Sequence, residues 1–190
     1  GEHQTLLFSA TIDKNVKRVS KSMMNDPVTV EIARRGDTSD NVEQFIIHIN
    51  HQAKPETLNA ILADRGAERV IVFARTKHRV DTCARMLKRE GYKAETIHSD
   101  RSQAQRRKAL AAFDKGDANI LVATDVLARG IDVSNVDYVV NYDLPMMAED
   151  YIHRIGRTGR AGEKGFAVSL VSPENKGLLK DLERLIKQKL

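Results

Sequence analysis

From Val42 onward the chain alternates short apolar runs with segments whose apolar residues return every three or four positions, the patterns of buried strands and amphipathic helices. V-E-Q-F-I-I-H-I (42–49) predicts a strand, and a helix carrying Leu58, Ile61 and Leu62 follows it. The strand R-V-I-V-F-A (69–74) leads into a helix capped by Thr76, with Val80, Cys83, Ala84 and Leu87 as its core stripe and Gly91 as its stop. K-A-E-T-I-H (93–98) predicts the next strand, then a helix capped by Ser102 with Leu110 and Phe113 inward and Gly116 at its end, then the strand N-I-L-V-A-T (119–124). The strand V-D-Y-V-V-N-Y (136–142), a short helix from Ala148 to Ile155, the strand G-F-A-V-S-L-V (165–171) and a helix with Leu178, Leu182, Leu185 and Ile186 on one face complete the series. Strands and helices alternating over ~20 to 30 residues predict an α/β fold, an open parallel sheet covered by helices on both faces through right-handed crossovers. Ligands of such sheets bind outside the carboxyl ends of the strands, so the turns after Ala74, His98, Ala123 and Tyr142 are expected to line one functional edge.

The stretch before Val42 reads differently. Gln4 to Ser9 predicts a short buried strand, a helix follows from an N-cap at Asp13 with Val16, Val19 and Met23 on one face, and P-V-T-V-E-I (27–32) predicts another strand. A-R-R-G-D-T-S-D (33–40) is rich in charge and turn formers and has no apolar period, which places a linker and a domain boundary there. The opening G-E-H-Q-T-L-L-F enters an apolar strand without a leader and reads as a cut end.

Composition adds limits. At 190 residues, 41% hydrophobic and 30% charged, the chain has the balance of an ordinary soluble protein, one domain or one domain with a piece of another. A net charge of +5 leans toward polyanions without naming one. The single Cys83 excludes an intramolecular disulfide and a multi-cysteine zinc site, and its place in a core stripe reads as a buried thiol. No apolar run reaches membrane-spanning length, so no membrane partner is expected and the expected location is cytoplasmic.

Candidate chemistry concentrates in two stretches. In Y-I-H-R-I-G-R-T-G-R-A-G (151–162), Arg154, Arg157 and Arg160 recur at every third residue with glycines between them. Guanidiniums crowded this way favour an anion among them, and their planar forks match phosphate oxygens two at a time, which suggests a polyphosphate; a solvated basic loop is the plainer alternative. In T-D-V-L-A-R-G-I-D (124–132), a strand ends in Thr124 and Asp125, followed by Arg129, Gly130 and Asp132. Such a turn can hold a phosphate of a nucleic-acid backbone while a carboxylate orients arginines or accepts from ribose hydroxyls. A capped turn with an ion pair is the alternative, and for Asp125 alone it is the better one. His98-Ser99-Asp100 contains triad residue types, but neighbours on a loop cannot point at one another as a triad must. The strip Lys176, Lys180, Arg184, Lys187 and Lys189 reads as the solvated face of the last helix.

Taken in order, S-A-T (9–11), V-I-V-F-A-R-T-K (70–77), Q-A-Q-R (103–106), A-T-D-V-L-A-R-G-I-D (123–132), N-Y-D-L-P (141–145) and H-R-I-G-R-T-G-R (153–160) resemble the DEAD-box ATP-dependent RNA helicases across nearly the whole chain. The resemblance implies a RecA-like fold, with residues 1–33 the end of a first RecA-like domain, 34–40 an interdomain linker and 41–190 the C-terminal RecA-like domain. It implies that Arg157 and Arg160 are arginine fingers for ATP, that Asp132 contacts the nucleotide ribose, and that His153 couples its motif to Ser9 and Thr11. It further implies RNA-backbone contacts from Arg75, Arg106, Thr124, Arg129 and Gly130, with Gln103 supporting the turn that holds Arg106 and Asp125 linking its motif to the others. For Arg154 a structural ion pair is at least as good a reading. The sequence contains neither G-x-x-x-x-G-K-[ST] nor D-E-A-D, so this chain does not by itself cradle the β-phosphate or hold Mg²⁺. ATP, Mg²⁺, RNA and the protein's own N-terminal RecA-like domain are thus the expected cofactors and partners, ATP and Mg²⁺ being held mainly by that other domain. A non-catalytic nucleic-acid-binding module on the same fold and a DNA-directed helicase of the same superfamily are the competing readings. The finger arginines speak against the first, and a comparison of RNA with DNA separates the second.

Overall fold

The computed structural model describes residues 3–9, 14–30, 41–125, 133, 136–159 and 163–190. It divides into two compact units, Gly1–Asp37 and Thr38–Leu190. The predicted linker lies wholly outside the described residues.

In the first unit the expected helix is present as α1, Lys14–Met23, and none of its residues is buried. The two expected strands are not formed over residues 4–9 and 27–30, and 31–32 lie outside the description. Leu6, Phe8, Val28 and Val30, expected to be strand residues, are 66, 88, 91 and 77% exposed. The physical reason is that apolar alternation supplies a face, whereas a strand also needs a neighbour for its N–H and C=O groups, and no described strand pairs with these segments. Amides of 4–9 and 28–30 are expected to exchange with solvent nearly as fast as in an unstructured chain, while those of Ile120–Ala123 are protected. Equal protection of the two regions in hydrogen exchange on a monomer would contradict this.

The second unit contains β1 (Val42–His48), α2 (Lys54–Arg65), β2 (Val70–Phe73), α3 (Lys77–Arg89), β3 (Ala94–Ile97), α4 (Gln103–Asp114), β4 (Ile120–Ala123), β5 (Tyr138–Asn141), α5 (Ala148–Ile155), β6 (Gly165–Val171) and α6 (Lys176–Ile186). The strands form one parallel sheet in the order β1-β6-β5-β2-β4-β3. Every residue of β2, β4 and β5 is buried, as the centre of a parallel sheet covered on both sides requires. The two-residue period of a strand then divides the core. Ile71, Phe73, Leu121, Ala123 and Val139 face Phe113 of α4, Tyr151 and Ile155 of α5, and Leu179 and Leu182 of α6. Val70, Val72, Ile120, Val122 and Val140 face Leu58 and Leu62 of α2 and the Val80, Cys83, Ala84, Leu87 stripe of α3.

The expected local signals hold for α3, where the Thr76 hydroxyl accepts from the Arg79 N–H, and for α4, where Ser102 and Gln105 cap each other reciprocally. Burial pushes the Cys83 thiol up to about 12, consistent with a packing role. In α4 it is Ala109 and Phe113 that are buried, with Leu110 at the core's margin. In α6 the buried pair is Leu179 and Leu182, and the expected Leu178 and Ile186 pack at the flanks. No helix among the described residues is long and apolar enough to cross a membrane.

Register brings the functional edge together. Phe73 is level with Ala123 and Asn141, Ile97 with Ala123, and Asn141 with Ser169. The residues that follow them, Ala74, Thr124, Tyr142 and His98, therefore leave the sheet side by side.

Candidate functional site

The centre of this edge is Arg154. Helix α5 buries Tyr151 and Ile155 against the sheet, and Arg154, between them in sequence, is carried inward until none of it is exposed. Its guanidinium forks onto Asp125, Nε to Oδ1 at 2.6 Å and Nη2 to Oδ2 at 3.0 Å. Nη1 donates to Asn141 Oδ1 at 3.1 Å and to the main-chain oxygen of Asp143 at 2.7 Å, and the guanidinium carbon lies 5.0 Å from the Phe73 ring centre. Asn141 in turn donates to Ser169 Oγ at 3.1 Å. A charge this deep is tolerated only with its partner and its hydrogen bonds in place. The ion-pair reading of Arg154 and Asp125 is therefore the structural one, and it ties the end of β4 to α5.

This also changes the picture of the arginine triplet. The three side chains do not form one exposed cluster: Arg154 is buried and neutralised, Arg157 is half-buried, and Arg160 lies outside the described residues. Arg157, in the turn after α5, donates its Nε to the His153 carbonyl at 3.1 Å, which braces it on the helix's last turn; His153 is half-buried. Beyond the helix, the buried Thr158 hydroxyl donates to the Val136 and Asp137 carbonyls at 2.6 and 3.1 Å. A Cβ on Gly159, at φ +66°, would stand 2.6 Å from Val42 Cγ2, and one on Gly165 would stand 2.2 Å from Thr158 Oγ1. These two glycines are needed for the loop to close onto the sheet.

On the other side of β2, Arg75 donates its N–H to Asp143 Oδ2 at 3.1 Å and its Nη2 to Asn175 Oδ1 at 2.9 Å. Asp143 is itself gripped by Arg79, Nε to Oδ2 at 2.6 Å and Nη2 to Oδ1 at 2.7 Å, and by Lys54 Nζ at 3.1 Å. Lys54 is fully buried and also donates to the Tyr142 carbonyl at 2.8 Å. Burial lowers the Lys54 ammonium below its ordinary range. Burial alone would raise the Asp143 carboxyl, but the Arg79 hydrogen bonds and the Lys54 charge outweigh it and hold the carboxyl below its ordinary value. Sequence reasoning missed Lys54, Arg79 and Asn175. The one usable signal was the acid of D-L-P at a strand end.

At the β3 end, Arg106 occupies the first turn of α4, half-buried, with Nη2 donating to the Ser99 carbonyl at 3.3 Å. The bonds closing that turn are those of Ser102 and Gln105, and Gln103 is exposed. Thr124 donates its N–H to the Ile97 carbonyl at 3.1 Å, and its buried hydroxyl has no hydrogen-bond partner among the described residues. His98 faces Asp81 at 3.2 Å, and Asp81 also takes Arg101 at 2.8 Å, so His98, Ser99 and Asp100 form no triad. Lys77 reaches Asp100 at 2.7 Å, and its hydrogen bond pulls that carboxyl down. The edge thus gathers Arg75, Thr124 and Asp125, with Arg106 near the end of the neighbouring β3, His153 on α5 and Arg157 in the turn that follows it. Thr11, Arg129, Gly130, Asp132 and Arg160 lie outside the described residues, and Ser9 is exposed in the first unit. Among the described residues no group of three His, Cys, Asp or Glu side chains could hold a metal ion.

Residues 53–162 match the family described as helicase conserved C-terminal domain. The DEAD-box ATP-dependent RNA helicase CshA of Bacillus subtilis (strain 168) is 45% identical over 189 residues, 100% of this chain and 38% of that protein. CshA of Bacillus licheniformis is 44% identical over 100% of this chain and 39% of its own length. The chain thus spans well under half of these curated relatives. Among solved structures, a DEAD box protein from Methanococcus jannaschii has a TM-score of 0.76 at 38% identity, covering 96% of this chain and 49% of that one. S. cerevisiae Dbp5 bound to RNA and ADP BeF3 has a TM-score of 0.83 at 32% identity, covering 94% and 48%. The sheet is the RecA-like one of these neighbours, and the chain belongs to the helicase conserved C-terminal domain family in its DEAD-box form.

Proposed function

We propose that this chain is the C-terminal half of an ATP-dependent RNA helicase, which binds the RNA sugar-phosphate backbone and supplies arginines to an ATP bound between two RecA-like domains. Arg75, Arg106 and Thr124, at the carboxyl edge, hold RNA phosphates together with Arg129 and Gly130. Asp132 holds the ribose of ATP, Arg157 and Arg160 reach its γ-phosphate, and His153 couples this motif to Ser9 and Thr11. The phosphate loop and the carboxylates for Mg²⁺ belong to the N-terminal RecA-like domain; bound there, Mg²⁺ neutralises charge on the phosphates. Closure of the two domains on ATP and RNA bends the strand and separates a duplex. The observation that carries this reading is the Asp125–Arg154 pair. It braces the strand end bearing Thr124 against the helix that bears His153 and leads into Arg157, so the RNA edge and the nucleotide-facing helix share one buried charge. The RNA bound to Dbp5, a neighbour at 32% identity, supports the substrate class.

A phosphate contact carries no base information, so Arg106→Ala is expected to weaken binding equally for oligouridylate and mixed-sequence single strands. The log-log dependence of affinity on salt is expected to shallow by roughly 0.7, one counterion fewer on a single strand. Binding titrations at several salt concentrations check this. An unchanged slope, or a loss confined to one RNA sequence, would overturn the assignment.

A further inference from the structure

Resting on the reading that Arg75 meets RNA, we propose that Asp143 and Asn175 are positioning residues that hold Arg75 ready for the RNA backbone. Arg75 is fixed at two points. Its main-chain N–H lies on Asp143 Oδ2 at 3.1 Å, and its Nη2 lies on Asn175 Oδ1 at 2.9 Å, with a longer bond to the Leu144 carbonyl at 3.4 Å. Both anchors are themselves buried and hydrogen-bonded. Asp143 is 4% exposed, clamped by the Arg79 fork and by Lys54, and its own N–H donates to the Phe73 carbonyl at 3.2 Å. Asn175 is 5% exposed, with Nδ2 donating to Ser172 Oγ at 3.1 Å and its N–H to the Ser172 carbonyl at 2.8 Å. No hydrogen bond among the described residues uses Arg75 Nη1. That nitrogen is the end left for a phosphate oxygen. A long side chain held before its ligand arrives loses less freedom on binding, and the anchors thereby raise affinity without touching RNA.

The test uses the full-length protein and a fluorescein-labelled ten-residue oligouridylate, read by anisotropy. Asn175→Ala removes one anchor without disturbing the charges. Lys54→Met with Asp143→Leu removes the other together with the wholly buried ammonium, and leaves only Arg79, whose side chain is 27% exposed and can turn to water. Each is expected to weaken binding roughly 3- to 10-fold, the scale of one side chain's ordering. Neither is expected to weaken it further on an Arg75→Ala background, because the anchors act only through Arg75. Losses that add to that of Arg75→Ala, or wild-type affinity in Asn175→Ala, would overturn the proposal. If the paired variant does not fold, Asn175→Ala decides alone. If Arg75→Ala itself binds like wild type, the RNA assignment of Arg75 falls, and the proposal with it; if Arg75→Ala weakens binding and the anchor losses add, only the positioning role falls.

Discussion

Arg157→Ala in the full-length protein is expected to lower kcat for RNA-stimulated ATP hydrolysis by orders of magnitude, with a smaller change in KM. As the bond to the γ-phosphoryl group breaks, charge spreads over its oxygens, and a guanidinium placed across the cleft stabilises that state more than bound ATP. Arginine fingers are worth about 10³ to 10⁵ in rate where GTPases have been measured. The Nε bond to the His153 carbonyl fits such a use, since it fixes the side chain to the last turn of α5 before ATP arrives. Arg157→Lys is expected to rescue poorly, because an ammonium is a point charge and cannot reproduce the planar fork. Steady-state kinetics with saturating RNA check both variants, with urea unfolding as a control for stability. Near wild-type kcat in Arg157→Lys would make this residue part of a basic surface and would sink the finger reading.

Much of the second unit was legible from pattern alone because its parallel sheet forces consistency. Buried central strands must be largely apolar, and the helices between them must be apolar on one side, so a two-residue period and a helical period interlock. Thr76 and Ser102 add local hydrogen bonds readable within four residues. What failed depended on partners that the pattern does not name. Residues 4–9 have the apolar content of a strand, and no described strand pairs with them. In α6 the period was right and Leu182 is buried as expected, but its buried partner is Leu179, with Leu178 and Ile186 at the flanks. The site divided in the same way. Arg154 was legible only in part: the crowded guanidiniums suggest a polyphosphate, with a structural ion pair an equally good reading for Arg154, and it is the ion pair, with Asp125, that forms. Lys54 and Arg79 did not stand out: each meets Asp143 from 89 and 64 residues away, and nothing local distinguishes either from a solvated cation. Asn175 meets Arg75 across 100 residues. Such contacts follow from the strand order, in which β5 lies beside β2 although β3 and β4 intervene in sequence.

The second large effect expected is on folding. Asp125→Ala leaves the Arg154 guanidinium wholly buried, with only the Asn141 and Asp143 oxygens as neutral acceptors. Removing one partner of a buried pair costs about 3 to 5 kcal/mol, a large share of a domain's stability. Arg154→Met is expected to cost less, because the Asp125 side chain it strands is 28% exposed and can turn to water, whereas the guanidinium at 0% cannot. Asp125→Leu together with Arg154→Met, which removes both charges, is expected to recover most of the lost stability, as apolar replacement of buried pairs often does. Urea unfolding of the four proteins measures the order. A cost below about 1 kcal/mol for Asp125→Ala, in the range of surface pairs, would show that the buried charge finds other company. The paired variant also separates stability from function: it restores the packing of α5 but not the fork that fixes α5 to the end of β4. If that fork links RNA binding to hydrolysis, the refolded variant still binds RNA through Arg75 and Arg106, yet RNA no longer stimulates its ATPase. Full stimulation in that variant would leave the pair a structural role alone.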